Sequence, residues 1–141
     1  MDTLKERPID GRTSLLHSED VRLARRKPNK KAKEFAIAAA RIAQERHCTE
    51  IVVLDLRGLS PATDYFVIAT GTSNRQMQSV ADEISQAGRE QGFARFGRAG
   101  YEQARWVLLD YIDVVVHLFD TEYRQFYDLE LLWGDADKID Y

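Results

Sequence analysis

At 141 residues, with 44% hydrophobic and 30% charged positions, the chain has the size and composition of one globular domain and is too short for a multi-domain assembly. Its longest apolar stretches, such as 114–119 broken by His117, fall far short of the roughly 18 residues that a membrane span needs. The net charge of −3 conceals a division: residues 1–33 hold ten Lys/Arg against five Asp/Glu, which leaves ten bases and eighteen acids for 34–141.

In chain order, residues 1–30 carry Gly11, Ser14, Ser18 and Pro28 and no sustained apolar period, so they are expected to be a flexible basic N-terminal extension. Such an arm can touch rRNA through its cations, or it can be a solvated tail. It lacks the apolar core of a secretory signal, and Asp2, Glu6, Asp10, Glu19 and Asp20 are foreign to a mitochondrial presequence. A cytoplasmic location is expected. The domain proper is placed at 31–141. Phe35, Ala39 and Ile42 with Ala36, Ala40 and Ala43 predict an amphipathic helix over 31–46. Cys48 has no second cysteine for a disulfide or a zinc spacing, and is expected to be a small buried hydrophobe. The runs 51–56 and 65–69 predict strands buried on both faces. From Thr72 the period changes: Met77, Val80, Ala81, Ile84 and Ala87 share a helical face, Ser73 or Asn74 can cap its start, and Gly88 and Gly92 mark its end.

Gly92, Gly97 and Gly100 suit a loop or a short irregular strand. Residues 106–111 and 112–119 read as two strands with room only for a tight connection, an antiparallel hairpin. A helix capped by Thr121 and ended by Gly134 should present Phe126, Leu129 and Leu132 or Trp133, and a polar tail should follow. The expected fold class is α/β, a mixed sheet flanked by helices.

The turn 70–74 leads from a buried strand into a helix, and its amides can hold an anion at the helix N-terminus. It lacks the spacing of a P-loop or of G-x-G-x-x-G, so a capped turn with Gly71 in a conformation that favours glycine is the competing reading. A nucleotide-binding or nucleotidyl-transferring enzyme using this turn is the alternative function. His17, His47 and His117 form no metal spacing or triad. Asp110 and Asp113 can bind Mg²⁺ beside a phosphate-binding motif or serve as solvated turn carboxylates. No catalytic residue, metal or cofactor is expected.

Alternation puts Trp106, Leu108 and Asp110 on one face of their strand, and Asp113, Val115, His117 and Phe119 on one face of the next. Paired across a tight turn they make one surface. It is either a protein-binding patch with an aromatic anchor among carboxylates, or a core face covered by a helix. Residues 100–141 contain ten acids and three bases, which favours a basic protein partner over nucleic acid for the folded part.

Residues 64–76 (Asp64, Tyr65, Phe66, Val67, Ile68, Ala69, Thr70, Gly71, Thr72, Ser73, Asn74, Arg75, Gln76), continuing to Ala81, Asp82 and Glu83, resemble the ribosomal silencing factor family, also called Iojap. A second block, Gly100, Trp106, Asp110, Asp113, Val114, Val116, His117, Arg124, Tyr127, Leu129, Glu130, Leu132 and Trp133, resembles its C-terminal signature, so the similarity spans about residues 32–136. The resemblance implies binding to large-subunit ribosomal protein fourteen, a basic protein, and steric blocking of subunit joining when nutrients are scarce. It implies a nucleotidyltransferase-like fold without catalysis, and a homodimer when free, with no membrane and no nucleic acid required. It also places Trp106, Asp110, Asp113 and His117 at or near the ribosomal contact; Leu108 joins them by strand alternation alone.

Overall fold

A computed structural model describes residues 29–141; the expected basic extension, apart from Asn29 and Lys30, lies outside the described residues. Helix α1 spans Ala32–Glu45 and turns Ala32, Phe35, Ala36, Ala39, Ala40 and Ala43 inward. Five alanines on one face let the helix backbone lie close to the sheet while Phe35 fills the remaining depth. Helix α2, Asn74–Glu90, buries Met77, Val80, Ala81, Ile84, Ser85 and Gly88. Gly88 lies inside this helix instead of ending it. A Cβ there would come within 3.1 Å of Tyr111 and 3.2 Å of Phe35, so the missing side chain permits a close approach. The helix stops before Gly92, whose φ of +82° suits glycine.

The strands are β1 Thr49–Asp55, β2 Tyr65–Thr70, β3 Gly97–Ala99, β4 Trp106–Asp110, β5 Val114–Phe119 and β6 Asp137–Lys138. They form one sheet in the order β3-β4-β5-β2-β1-β6. Strands β2 and β5 run parallel, and the other pairs are antiparallel. The sheet is mixed, and β4 with β5 makes the anticipated hairpin.

Alternation along the strands separates two cores. Val67, Ala69, Val107, Leu109, Val116 and Leu118 face α1 and α2. Phe66, Ile68, Trp106, Leu108, Val115 and Phe119 face the other way and are covered by residues 120–136. This cover differs from the single helix expected after Thr121. It is two short helices, α3 (Thr121–Phe126) and α4 (Leu129–Leu132), with Asp120 capping the first and Asp128 the second. Each cap accepts a backbone N–H, from Tyr123 at 2.7 Å and from Leu131 at 3.2 Å. Because the chain restarts at Asp128, the two turns do not share one apolar stripe. Tyr123, Tyr127, Leu129 and Trp133 face inward, whereas Phe126, Leu131 and Leu132 face solvent.

Two further differences concern β1. Its residues 49–52 are exposed or half-buried, so it is not a strand buried on both faces as expected. Its pairing with β2 is irregular between Thr49 and Val52, where Glu50 takes a φ of +50°. The segment read as a polar tail supplies β6, which pairs with Leu54 and Asp55 on the outer side of β1.

Candidate functional site

The hairpin register sets Trp106 opposite Phe119, Leu108 opposite His117 and Asp110 opposite Val115, so the residues singled out by alternation do share one side of the sheet. That side is interior. Trp106 is 2% exposed, and Leu108, Asp110, Asp113 and His117 are also buried. The reading of this side as an open protein-binding patch is therefore corrected. Alternation fixes which way a side chain points, but it says nothing of the two short helices that close over it.

The Trp106 indole stacks on Phe119 at 4.9 Å between ring centroids and tilts against Tyr127 of the cover at 4.7 Å. Its Nε1–H donates to His117 Nδ1 at 3.1 Å. With Nδ1 accepting, the neutral imidazole carries its proton on Nε2, which is sealed in without a hydrogen-bond partner. Burial first, and the Arg124 charge second, push the His117 pKa down to about 3. The ring is thus neutral at physiological pH and packs edge-on against Phe66 at 4.5 Å.

Arg124 fastens the cover to the sheet. Although charged, it is buried, and its guanidinium donates to Thr70 Oγ1 on β2 at 3.0 Å and to Glu130 Oε1 at 2.7 Å. Thr70 in turn donates to Glu50 at 3.4 Å. A second fastening lies outside, where Arg105 pairs with Asp120 at 2.7 Å and with Glu122, and stacks over the Tyr123 ring. Arg124 and Glu130 stand in the second block of family-like residues, but their joint role depends on a fold that brings position 124 beside position 70.

Asp110 and Asp113 are not solvated turn carboxylates. The turn 111–113 puts Ile112 at a φ of +72°, unusual for a β-branched residue. Asp110 Oδ1 accepts the Ile112 N–H at 2.9 Å and holds that conformation. The Asp113 carbonyl accepts from both Asp64 and Tyr65 at 3.0 Å, tying the hairpin end to the start of β2. Both acids build the turn.

The turn between β2 and α2 is also committed to its own structure. Ser73 caps α2 by accepting the Gln76 N–H at 3.1 Å, which settles the choice between Ser73 and Asn74. Gln76 Oε1 accepts the Thr72 N–H at 2.6 Å, and its Nε2 donates to the Arg46 carbonyl at 2.7 Å. The Gly71 N–H goes to the Phe119 carbonyl at 2.7 Å. The Gly71, Thr72 and Gln76 amides of this turn are thus taken by strand and side chains. Gly71 itself has no positive φ. Glycine is required there because a Cβ would fall 2.2 Å from Met77 Cγ. Beside the turn lies an open polar cavity of about 680 Å³, lined among others by Arg46, Arg75, Ser79 and Glu83. Arg46 is paired across it with Glu83 at 2.7 Å.

Among the described residues no group of three or more His, Cys, Asp or Glu is arranged to hold a metal, and no helix is long and apolar enough to cross a membrane. Cys48 is buried as anticipated, and its burial pushes the thiol pKa up to about 11.

The sequence model of the family described as "Ribosomal silencing factor during starvation" matches residues 29–141, the whole described domain. The chain belongs to the ribosomal silencing factor family. It is 40% identical over 107 residues to the Halalkalibacterium halodurans protein named ribosomal silencing factor RsfS, covering 76% of this chain and 92% of that one. It is 42% identical over 102 residues to the Bacillus subtilis protein of the same name, covering 72% and 86%. The maize chloroplastic protein Iojap is 37% identical over 106 residues, which span 75% of this chain and 46% of that longer one. Two solved structures share the fold: one from Bacillus halodurans, with a TM-score of 0.66 and 36% identity over 80% of this chain and all of that one, and one from Chromobacterium violaceum, with 0.68 and 32% over 82% and 92%. The silencing-factor resemblance carried by residues 64–83 and 100–133 thus holds for the entire folded part.

Proposed function

We propose that this silencing-factor family member binds the large ribosomal subunit in the cytoplasm through large-subunit ribosomal protein fourteen, and keeps the small subunit from joining, so that translation falls when nutrients are limiting. It acts by occupying space and catalyses no reaction; when free it forms a homodimer. The observation that carries this reading is the family match over residues 29–141, the whole described domain. Relatives that match most of the chain are named as silencing factors, not as enzymes. The excess of eighteen acids over ten bases in residues 34–141 suits a basic ribosomal protein.

Trp106, Leu108, Asp110, Asp113 and His117 serve the ribosomal contact from within. The first two and His117 support the cover of residues 120–136, and the two acids fix the hairpin end. The test is sedimentation of mixed ribosomal subunits with and without the protein. Persistent free subunits, with the protein in the large-subunit fraction, are the expected result. Undiminished joining at saturating protein refutes the proposal. Retention should weaken as salt rises, because exposed charges are screened beyond a Debye length of about 8 Å at 0.15 M.

A further inference from the structure

We infer that the solvent-facing side of the cover, centred on Phe126, Leu131 and Leu132, is the docking surface for a basic protein segment with its own apolar side chains. The inference rests on the proposed ribosomal role and says which surface carries it out. Five large hydrophobic residues are exposed among the described residues, and three of them fall within seven consecutive positions: Phe126 at 77%, Leu131 at 79% and Leu132 at 62%. Three large exposed apolar side chains on one short stretch of the cover exceed the scattered single ones that a surface ordinarily carries.

The backbone that presents them is already fixed from its inner side. Tyr123, Tyr127, Leu129 and Trp133 pack onto the sheet, and the buried Arg124 bridges to Thr70 and Glu130. A surface held before the encounter loses little freedom on binding.

Charge selects the occupant. Residues 120–141 hold seven carboxylates against Arg124 and Lys138, and Arg124 is taken up beneath the surface by Glu130. A phosphate backbone meets repulsion here, since its affinity comes from cations on the protein. A second copy would set two acid-rimmed surfaces against each other. A segment with Lys or Arg around apolar residues satisfies both the rim and the centre.

The test uses the full chain carrying Phe126→Asp, Leu131→Asp or both, with Asp135→Lys combined with Asp140→Lys as a charge-reversed form. These positions are exposed, so melting temperatures should stay close to the parent. Co-sedimentation with isolated large subunits should fall at least tenfold for the double aspartate form, and the charge-reversed form should bind more weakly with a flatter salt dependence. A parent protein that does not sediment with the large subunit defeats the proposed ribosomal role itself. A parent that sediments, with double-aspartate and charge-reversed forms that sediment equally well, overturns only the placement. Conversion of a dimer to a monomer by Leu131→Asp with subunit binding intact assigns the surface to a second copy and overturns the inference. So does loss of binding to protein-free rRNA alone.

Discussion

Trp106→Ala removes the largest side chain of the covered sheet side and so measures how firmly the cover and hairpin are joined. The indole is 2% exposed, lies against Phe119 and Tyr127, and donates its N–H to His117. Truncating a buried tryptophan costs about 3 to 5 kcal/mol through lost packing and the cavity left behind. Depriving the buried His117 Nδ1 of its donor adds about 1 to 3 kcal/mol, partly overlapping with the first loss. The expected total, about 4 to 6 kcal/mol, is a large share of the roughly 5 to 15 kcal/mol that holds a domain together. The melting temperature should fall by on the order of 15 to 30 °C. Circular dichroism melts and urea titrations read this directly. Trp106→Phe restores most of the volume but not the donor, so it should retain a penalty of about 1 to 3 kcal/mol. Adding His117→Phe to Trp106→Phe should cost less than the two changes summed, because neither polar partner is then stranded. A Trp106→Ala protein that melts within about 5 °C of the parent would refute the reasoning, since no cavity of that size forms so cheaply.

Three further outcomes follow from the same side of the sheet and its neighbour. The His117 pKa stands near 3 in the fold against an ordinary 6.5, so the unfolded chain binds more protons between those values; this contribution to stability is complete above about pH 6.5 and shrinks as pH falls, by up to about 1.4 kcal/mol per unit. Urea midpoints measured from pH 7 to pH 5 should therefore decline less in His117→Phe than in the parent, and parallel declines would count against a buried neutral imidazole. Arg124→Met strands Glu130 and Thr70 and should cost about 1.5 to 3 kcal/mol, with hydrogen exchange accelerating in residues 120–136 while β2 and β5 stay protected; uniform acceleration would show that Arg124 does not fasten the cover. Gly71→Ala drives a methyl into Met77 and should cost about 1 to 3 kcal/mol by overpacking, a loss that Met77→Ala in the same chain should partly relieve; additive losses would remove steric conflict as the cause.

The elements that could be read from residues are those in which one local signal decides the outcome. The alanine stripe of α1 repeats for about three turns and the Met77–Ile84 stripe of α2 for about two, long enough for the period to stand out. Strands β2 and β5 are apolar runs, β5 interrupted only by His117, because they lie in the middle of the sheet with both sides covered. The cover was legible only as a single helix, because its break depends on Asp128 capping a new turn rather than continuing the old one. Strand β6 has two residues, too few to show an alternation, and exists through the edge of β1 that receives it. At the candidate site, alternation found the right companions for Trp106, and the register confirms that they share a side. It could not show whether that side was wet, since this depends on residues 120–136 folding back. Nor could it reveal the Arg124–Thr70 bond, which joins positions 54 residues apart.

The pairing of β6 with β1 has a consequence for how the protein behaves in concentrated solution. Strand β1 is seven residues long and carries Ile51, Val52, Val53 and Leu54 in succession. Among the described residues its outer row of peptide groups is met by β6, by the Ile139 N–H on the Val53 carbonyl at 2.8 Å, and by the Tyr141 hydroxyl, which donates to the Ile51 carbonyl at 3.4 Å. An uncovered apolar edge of that length is a template for another chain to add a strand. The segment 137–141 therefore acts as a stopper that ends the sheet with Asp137, Lys138 and Asp140 in water. Trimming it would bare that edge and favour edge-to-edge association of one chain with another.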